Sequence, residues 1–148
     1  MKAVLQRVGS ASVTVDGQTI AGIGQGLLVL LGIAKGDTEQ DIQYITEKST
    51  NLRIFESENG KLDHSVKDID GEILLVSQFT LCGDCKKGRR PDFGDAAPVE
   101  DARELYQKAI KAFEKTGIVT RQGQFQAYMQ VQLTNDGPVT IILDSKNK

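Results

Sequence analysis

Apolar and hydroxyl side chains alternate through residues 11–15, ASVTV, the period of two that marks a half-buried strand. Asp16-Gly17 follows, a dipeptide favoured in two-residue turns, and TIAGI then resumes a strand pattern, so a β-hairpin is expected. Residues 26–34, GLLVLLGIA, are apolar throughout, branched and fenced by glycine, which predicts a strand buried on both faces at the sheet centre. From Thr38 the spacing of Ile42, Ile45 and Leu52 is near helical, and Glu39 and Asp41 lie in the first turn, predicting a helix over about 38–50. LRIF at 52–55 returns to strand, Asn59-Gly60 marks a turn, and after Asp70-Gly71 the run EILLVSQFTL reads as a second buried strand.

Residues 82–97 break this order, since they are rich in glycine, charge and proline and have no apolar period. They predict an exposed loop that is long for a small domain, the kind of segment that commonly carries function. Pro98 then opens a helix with Ala102, Leu105, Ala109 and Phe113 on one face and Gly117 at its end. Two strand signals, roughly 125–134 and 139–144, flank the turn sequence Asn135-Asp136-Gly137-Pro138. The whole chain, 1–148, is expected to form a single β-rich mixed α/β domain.

Composition narrows the partners. With 18 basic and 20 acidic residues the net charge is −2, so bulk charge does not direct this chain to DNA, RNA or anionic membranes, and any RNA must meet a local patch. No run approaches the roughly 20 apolar residues of a membrane span, and the first 25 residues lack the pattern of a signal peptide, so the cytoplasm is the expected compartment. Two cysteines and one histidine are too few for a disulfide framework or a mononuclear Cys/His zinc site, and neither metal nor cofactor is expected.

Several short patterns carry chemistry. Cys82-Gly83-Asp84-Cys85 has thioredoxin-like spacing, yet that reaction needs its first thiol at a helix N-terminus and a Gly/Pro-bearing loop follows here. Incidental loop cysteines and a metal site shared across a dimer are the other readings. Gly83 and Gly88 have phosphate-loop spacing, but Arg89-Arg90 stand where that motif needs Lys and a hydroxyl; Gly22, Gly24 and Gly26 miss the dinucleotide fingerprint. Lys86, Lys87, Arg89 and Arg90 put four cations within five positions, either a solvated loop or a contact for backbone phosphates. On a continuing strand Gln78 and Thr80 would project from one face and Ser77 and Phe79 from the other. Arg7 shares a face with apolar Ala3 and Leu5 and so needs a partner for its guanidinium. Gly137-Pro138 reads either as a plain hairpin turn or as a cis bond at a close backbone approach. His64 stands in a turn-prone region without a motif; if it is idle, no histidine remains to activate a nucleophile.

SQFTL at 77–81, KKGRRPDF at 86–93 and NDGPVT at 135–140 together resemble the D-aminoacyl-tRNA deacylases of the D-tyrosyl-tRNA deacylase type, and the likeness runs from QRV at 6–8 to the C-terminal LDS. Departures lie at Gln126 and Tyr128, where that family more often has small and acidic residues, at His64, and at the cysteine pair. The resemblance implies a barrel-like or two-layer sheet core with flanking helices, assembled as a homodimer. It implies hydrolysis of the ester that joins a D-amino acid to the 3′-terminal adenosine of tRNA, extending to glycyl-tRNA mischarged on tRNA-Ala. By the same likeness Ser77, Gln78, Phe79 and Thr80 line the site, and Arg7 fixes a cis Gly137-Pro138 loop that enters the partner's pocket as a chirality filter. Backbone amides near Phe79 and Thr80 are then candidate oxyanion donors, with the tRNA 2′-hydroxyl assisting; Thr80 as nucleophile is the competing mechanism. A non-catalytic RNA-binding module of the same fold is the alternative function.

Overall fold

The computed structural model describes residues 1–147. β1 (Lys2–Val15) and β2 (Gln18–Ile23) form the expected hairpin about Asp16 and Gly17, whose φ values of 49° and 77° suit a tight turn between right-twisted strands. β1 is the spine of the sheet. Its first half pairs antiparallel with β3 (Gly26–Gly32), its second half with β2, and its other edge with β8 (Gln130–Asp144) along nearly its whole length. β3 continues in parallel to β6 (Glu72–Ser77) and β6 in parallel to β7 (Thr120–Gln122), so the sheet curls into a nearly closed, barrel-like form.

Each parallel step needs a crossover, and each crossover contains a helix. α1 (Glu39–Asn51) lies between β3 and β6, and α2 (Val99–Glu114) between β6 and β7. Thr38 caps α1, its N–H donating to the Asp41 carboxylate at 2.8 Å. Both helices cover one face of the sheet. Leu27, Val29, Leu31, Ile73 and Leu75 pack there against Ile45, Tyr106 and Phe113, whereas Leu28, Leu74 and Val76 point the other way, into the curl, beside Val8 and Val13. The continuous apolar runs are therefore strands buried on both faces, as expected. At roughly 1.5–3 kcal/mol per large buried side chain, these central strands are the rigid part on which the site is built.

An ionic knot ties the two ends of the chain to α1. The Met1 α-amino group donates to Asp37 at 2.6 Å and to Ser145 at 2.9 Å, fully buried, while Lys146 reaches Asp41 at 3.0 Å. Burial disfavours the Asp41 charge, but hydrogen bonds from Ser145, Lys146 and Thr38 outweigh it and hold this carboxyl well below the usual carboxylate range. No helix among the described residues is long and apolar enough to cross a membrane.

Three expectations are corrected. The strand over 72–81 stops at Ser77, because Gln78 N–H makes the last bond to β3, at Leu31, and Phe79–Cys82 then form a 3-10 turn. Gly32 permits this: a Cβ there would lie 2.8 Å from Leu81 Cβ and 3.0 Å from Gln78 O, so only glycine lets the chain fold over the end of β3. The strand signals at 125–134 and 139–144 do not flank a hairpin. They belong largely to one strand, β8, which pairs Asn135 with Val8 and Thr140 with Gln6, so the residues between bulge outward. Asn135 closes the bulge, its amide donating to Thr140 Oγ1 at 3.1 Å and its carbonyl accepting Val139 N–H at 3.1 Å. Of LRIF only Phe55 is in a strand, β4 (Phe55–Glu56), paired with β5 (Leu62–His64), and the short β7 lacks a recognisable pattern.

Candidate functional site

The carboxyl ends of parallel strands, where helices turn away, are the usual place for a ligand cleft. Here a cleft of about 520 Å³ opens at the end of β6, walled by Ser77, Gln78 and Phe79, by the first turn of α2 at Val99 and Ala102, and by residues 125–129. Tyr106 fixes the two main walls together: from α2 its hydroxyl donates to the Leu75 carbonyl of β6 at 2.8 Å. Burial pushes this phenol up, with the Ser77 backbone opposing, so it stays a neutral donor.

Past Ser77 the 3-10 turn places the predicted residues differently from a strand. Gln78 donates its amide to Thr80 Oγ1 at 2.5 Å. Thr80 itself is exposed and does not line the cleft. The turn's own bonding starts at Leu81 N–H to Gln78 O, which leaves the amides of Phe79 and Thr80 without an acceptor inside the turn. Phe79 is 58% exposed, and its ring meets Phe93 edge-on at 5.1 Å between centroids. Phe93 thus folds the 82–97 loop back beside the cleft. Two backbone bonds between Asp84 and Asp92, 2.7 and 2.9 Å, close this loop, and Lys86, Lys87, Arg89 and Arg90 all stand exposed at its far end. Lys86 lies 3.9 Å from Asp84.

The redox reading loses its physical basis. Cys82 is the last residue of the 3-10 turn, not the first of a helix, and burial pushes its thiol up, while Cys85 is exposed. Among the described residues no three His, Cys, Asp or Glu side chains converge as a ligand set for a metal. His64 sits in the small β4–β5 ladder and does not line the cleft.

Arg7, Gly137 and Pro138 form a second assembly. Arg7 is 5% exposed; its Nε donates to the Asp136 carbonyl and its Nη1 to the Ile54 carbonyl, both at 2.8 Å, with the Glu56 and Asp136 carboxylates at 3.5 and 3.8 Å. The buried guanidinium thus has the partners its position demands, and they include the bulge of β8. Gly137 has φ 131°, and a Cβ there would lie 2.8 Å from Arg7 Nη2 and 2.9 Å from Val139 Cγ2. The Gly137-Pro138 peptide is cis. Asp136, Gly137 and Pro138 are exposed, and none of them lines the cleft of their own chain.

Sequence reasoning missed the third wall. Phe125 packs on Tyr106 at 5.7 Å, Gln126 adopts a left-handed φ of 61°, and Arg103 of α2 donates to its side-chain carbonyl while lying 4.9 Å over the Phe125 ring. The departure of Gln126 and Tyr128 from the pattern of the resembling family was the available signal.

The sequence model of the D-Tyr-tRNA(Tyr) deacylase family matches residues 4–144. A protein of Geobacter sulfurreducens named D-aminoacyl-tRNA deacylase is 55% identical over 148 residues, covering all of this chain and 97% of that one. Its namesake from Clostridioides difficile is 56% identical over 145 residues, covering 98% and 97% of the two chains. A solved structure titled c-Myc DNA Unwinding Element Binding Protein superposes with a TM-score of 0.93 at 49% identity, over 97% of this chain and 98% of that one. A structure described as a probable eukaryotic D-amino acid tRNA deacylase shares the fold at a TM-score of 0.79 and 16% identity, covering 96% and 97%. Matched over nearly its whole length in both sequence and fold, the chain belongs to the D-Tyr-tRNA(Tyr) deacylase family and is a D-aminoacyl-tRNA deacylase, a carboxylic ester hydrolase of translational proofreading.

Proposed function

We propose that two copies of this chain share each active site, the cleft of one receiving the Gly137-Pro138 bulge of the other, and that this bulge excludes L-amino acids. The carrying observation is that the bulge is exposed, absent from its own cleft and clamped from behind by buried Arg7. A rigid main-chain wall against the substrate α-carbon admits hydrogen and collides with a side chain, so discrimination is steric and tolerant of many D-side chains. Glycine has no side chain to collide, which makes glycyl-tRNA mischarged on tRNA-Ala a second substrate. The cytoplasm, where tRNA is charged, is the compartment this activity requires.

In this reading Ser77, Gln78 and Phe79 hold the terminal adenosine and its aminoacyl group, and the Phe79 and Thr80 amides receive the oxyanion. The 2′-hydroxyl of the substrate assists attack on an ester that is already activated. The Thr80 hydroxyl acts through its bond with Gln78, leaving the main-chain N–H of Thr80 as the group that meets substrate. Lys86, Lys87, Arg89 and Arg90 meet backbone phosphates beside the cleft.

Parallel incubation with D- and L-tyrosyl-tRNA tests the reading. The wild type and Thr80→Val should both release D-tyrosine, the variant within about tenfold of the wild type, and both should spare the L-ester. Loss of turnover by many orders in Thr80→Val would make Thr80 the nucleophile, and equal hydrolysis of the two esters would remove the filter.

A further inference from the structure

Tyr128 is an anomaly of packing. It is 87% exposed, the most exposed of the large apolar side chains in the described residues, and it stands on the rim of the cleft. The backbone beneath it is firmly held. Phe125 is wedged between Tyr106 and Arg103, Arg103 grips Gln126, Gly123 N–H donates to Leu75 O at 2.9 Å, and Ala127 N–H reaches Gln124 O at 3.3 Å. On the far side Met129 closes over Gly123, its sulfur 2.8 Å from where a Cβ would be. An aromatic ring carried outward on a pinned strip is ready to bind without first being ordered.

In the reading above the terminal adenosine with its amino acid occupies the cleft, so the unpaired nucleotide before it leaves across this rim. Unpaired bases bind proteins chiefly by stacking on aromatic faces. We propose that Tyr128 is a stacking platform for the nucleotide that precedes the terminal adenosine, with Arg103 as the positioning residue that keeps the strip in place. The inference rests on the aminoacyl-tRNA reading of the cleft and adds a nucleotide subsite to it.

Two measurements test it. An uncharged RNA minihelix with 2-aminopurine at that nucleotide should be quenched on titration with the wild type; Tyr128→Ala should lose the quench and bind about tenfold more weakly, and Tyr128→Phe should restore both. In steady state, Tyr128→Ala should raise KM for D-aminoacyl-tRNA about tenfold with kcat nearly kept, while the loss on D-aminoacyl-adenosine, which lacks the nucleotide, should be several-fold smaller. Equal losses on the two substrates, or a quench that persists in Tyr128→Ala, would overturn the proposal. So would a change in sedimentation on Tyr128→Ala with RNA binding intact, since the ring would then serve contact between copies. If wild-type protein hydrolyses neither ester yet quenches the probe through Tyr128, the stacking site stands and the proposed chemistry of the cleft fails.

Discussion

Gly137→Ala perturbs the bulge at the atom where the proposed filter is made. The new Cβ would sit 2.8 Å from Arg7 Nη2 and 2.9 Å from Val139 Cγ2, on a backbone with φ 131° that side chains rarely adopt. Holding a non-glycine residue there costs about 1–3 kcal/mol. Moving the guanidinium aside weakens its bond to the Asp136 carbonyl, a charge-assisted contact of about 1.5–3 kcal/mol when fully lost. A destabilisation of about 3 kcal/mol follows, which for a chain of this size lowers Tm by roughly 10 °C and leaves the protein folded at 25 °C. Thermal unfolding followed by circular dichroism reads the first effect. Deacylation of D- and L-tyrosyl-tRNA at 25 °C reads the second: the bulge shifts, and the preference for the D-ester should fall by about tenfold or more, equivalent to about 1.4 kcal/mol of lost discrimination. A variant with unchanged Tm and unchanged preference would refute both the packing argument and the role of this glycine.

Asp37→Ala leaves the buried Met1 ammonium without its carboxylate and should cost about 3–5 kcal/mol in urea unfolding, far more than removing an exposed ion pair. Asp41 has a carboxyl held below its unfolded value, so its contribution is complete above about pH 4 and is lost as pH falls below that. Asp41→Asn should therefore flatten the decline in urea midpoint between about pH 4 and pH 2, and an unchanged slope would assign the acid sensitivity elsewhere. Replacing Lys86, Lys87, Arg89 and Arg90 together by Gln should raise KM for D-aminoacyl-tRNA and make the log–log salt dependence shallower by about 2–4. An unaltered slope would place the phosphates elsewhere.

What could be read from the sequence was whatever a local period controls. Residues 26–32 announce a central strand because both faces meet apolar neighbours, and the capped start of α1 and the Asp16-Gly17 turn follow from their own side chains. The end of β6 was hidden because Gly32, on another strand, decides where the chain folds over. The β8 bulge was hidden because it exists only in register with β1, and Asn135-Asp136-Gly137-Pro138 carries the same local signal as a hairpin turn. Residues 125–129 imitate a strand through half-buried Phe125, Ala127 and Met129, yet Gln126 is held left-handed by an arginine 23 positions earlier. Arg7 was visible as a charge on an apolar face, but its partners come from β8 and from residue 54. Ser77, Gln78 and Phe79, which line the cleft, were placed in the site by the family resemblance and not by their local pattern, whereas the wall opposite and the position of Thr80 depend on packing between distant elements.

The claim that the filter is supplied in trans has a direct test in mixed subunits. Gly137→Ala chains retain a normal cleft, and chains with Gln78→Ala and Phe79→Ala retain a normal bulge. Each should be defective alone, in selectivity or in turnover. After co-refolding at equal amounts, about a quarter of all sites would pair an intact cleft with an intact bulge if two copies associate at random. The account predicts that, relative to the same amount of Gly137→Ala chain alone, the mixture keeps its D-tyrosyl-tRNA hydrolysis while its L-tyrosyl-tRNA hydrolysis falls to about half, because about half of the intact clefts now meet an intact bulge. A mixture no more selective than the sum of its parts would contradict a shared site and place the filter within a single chain.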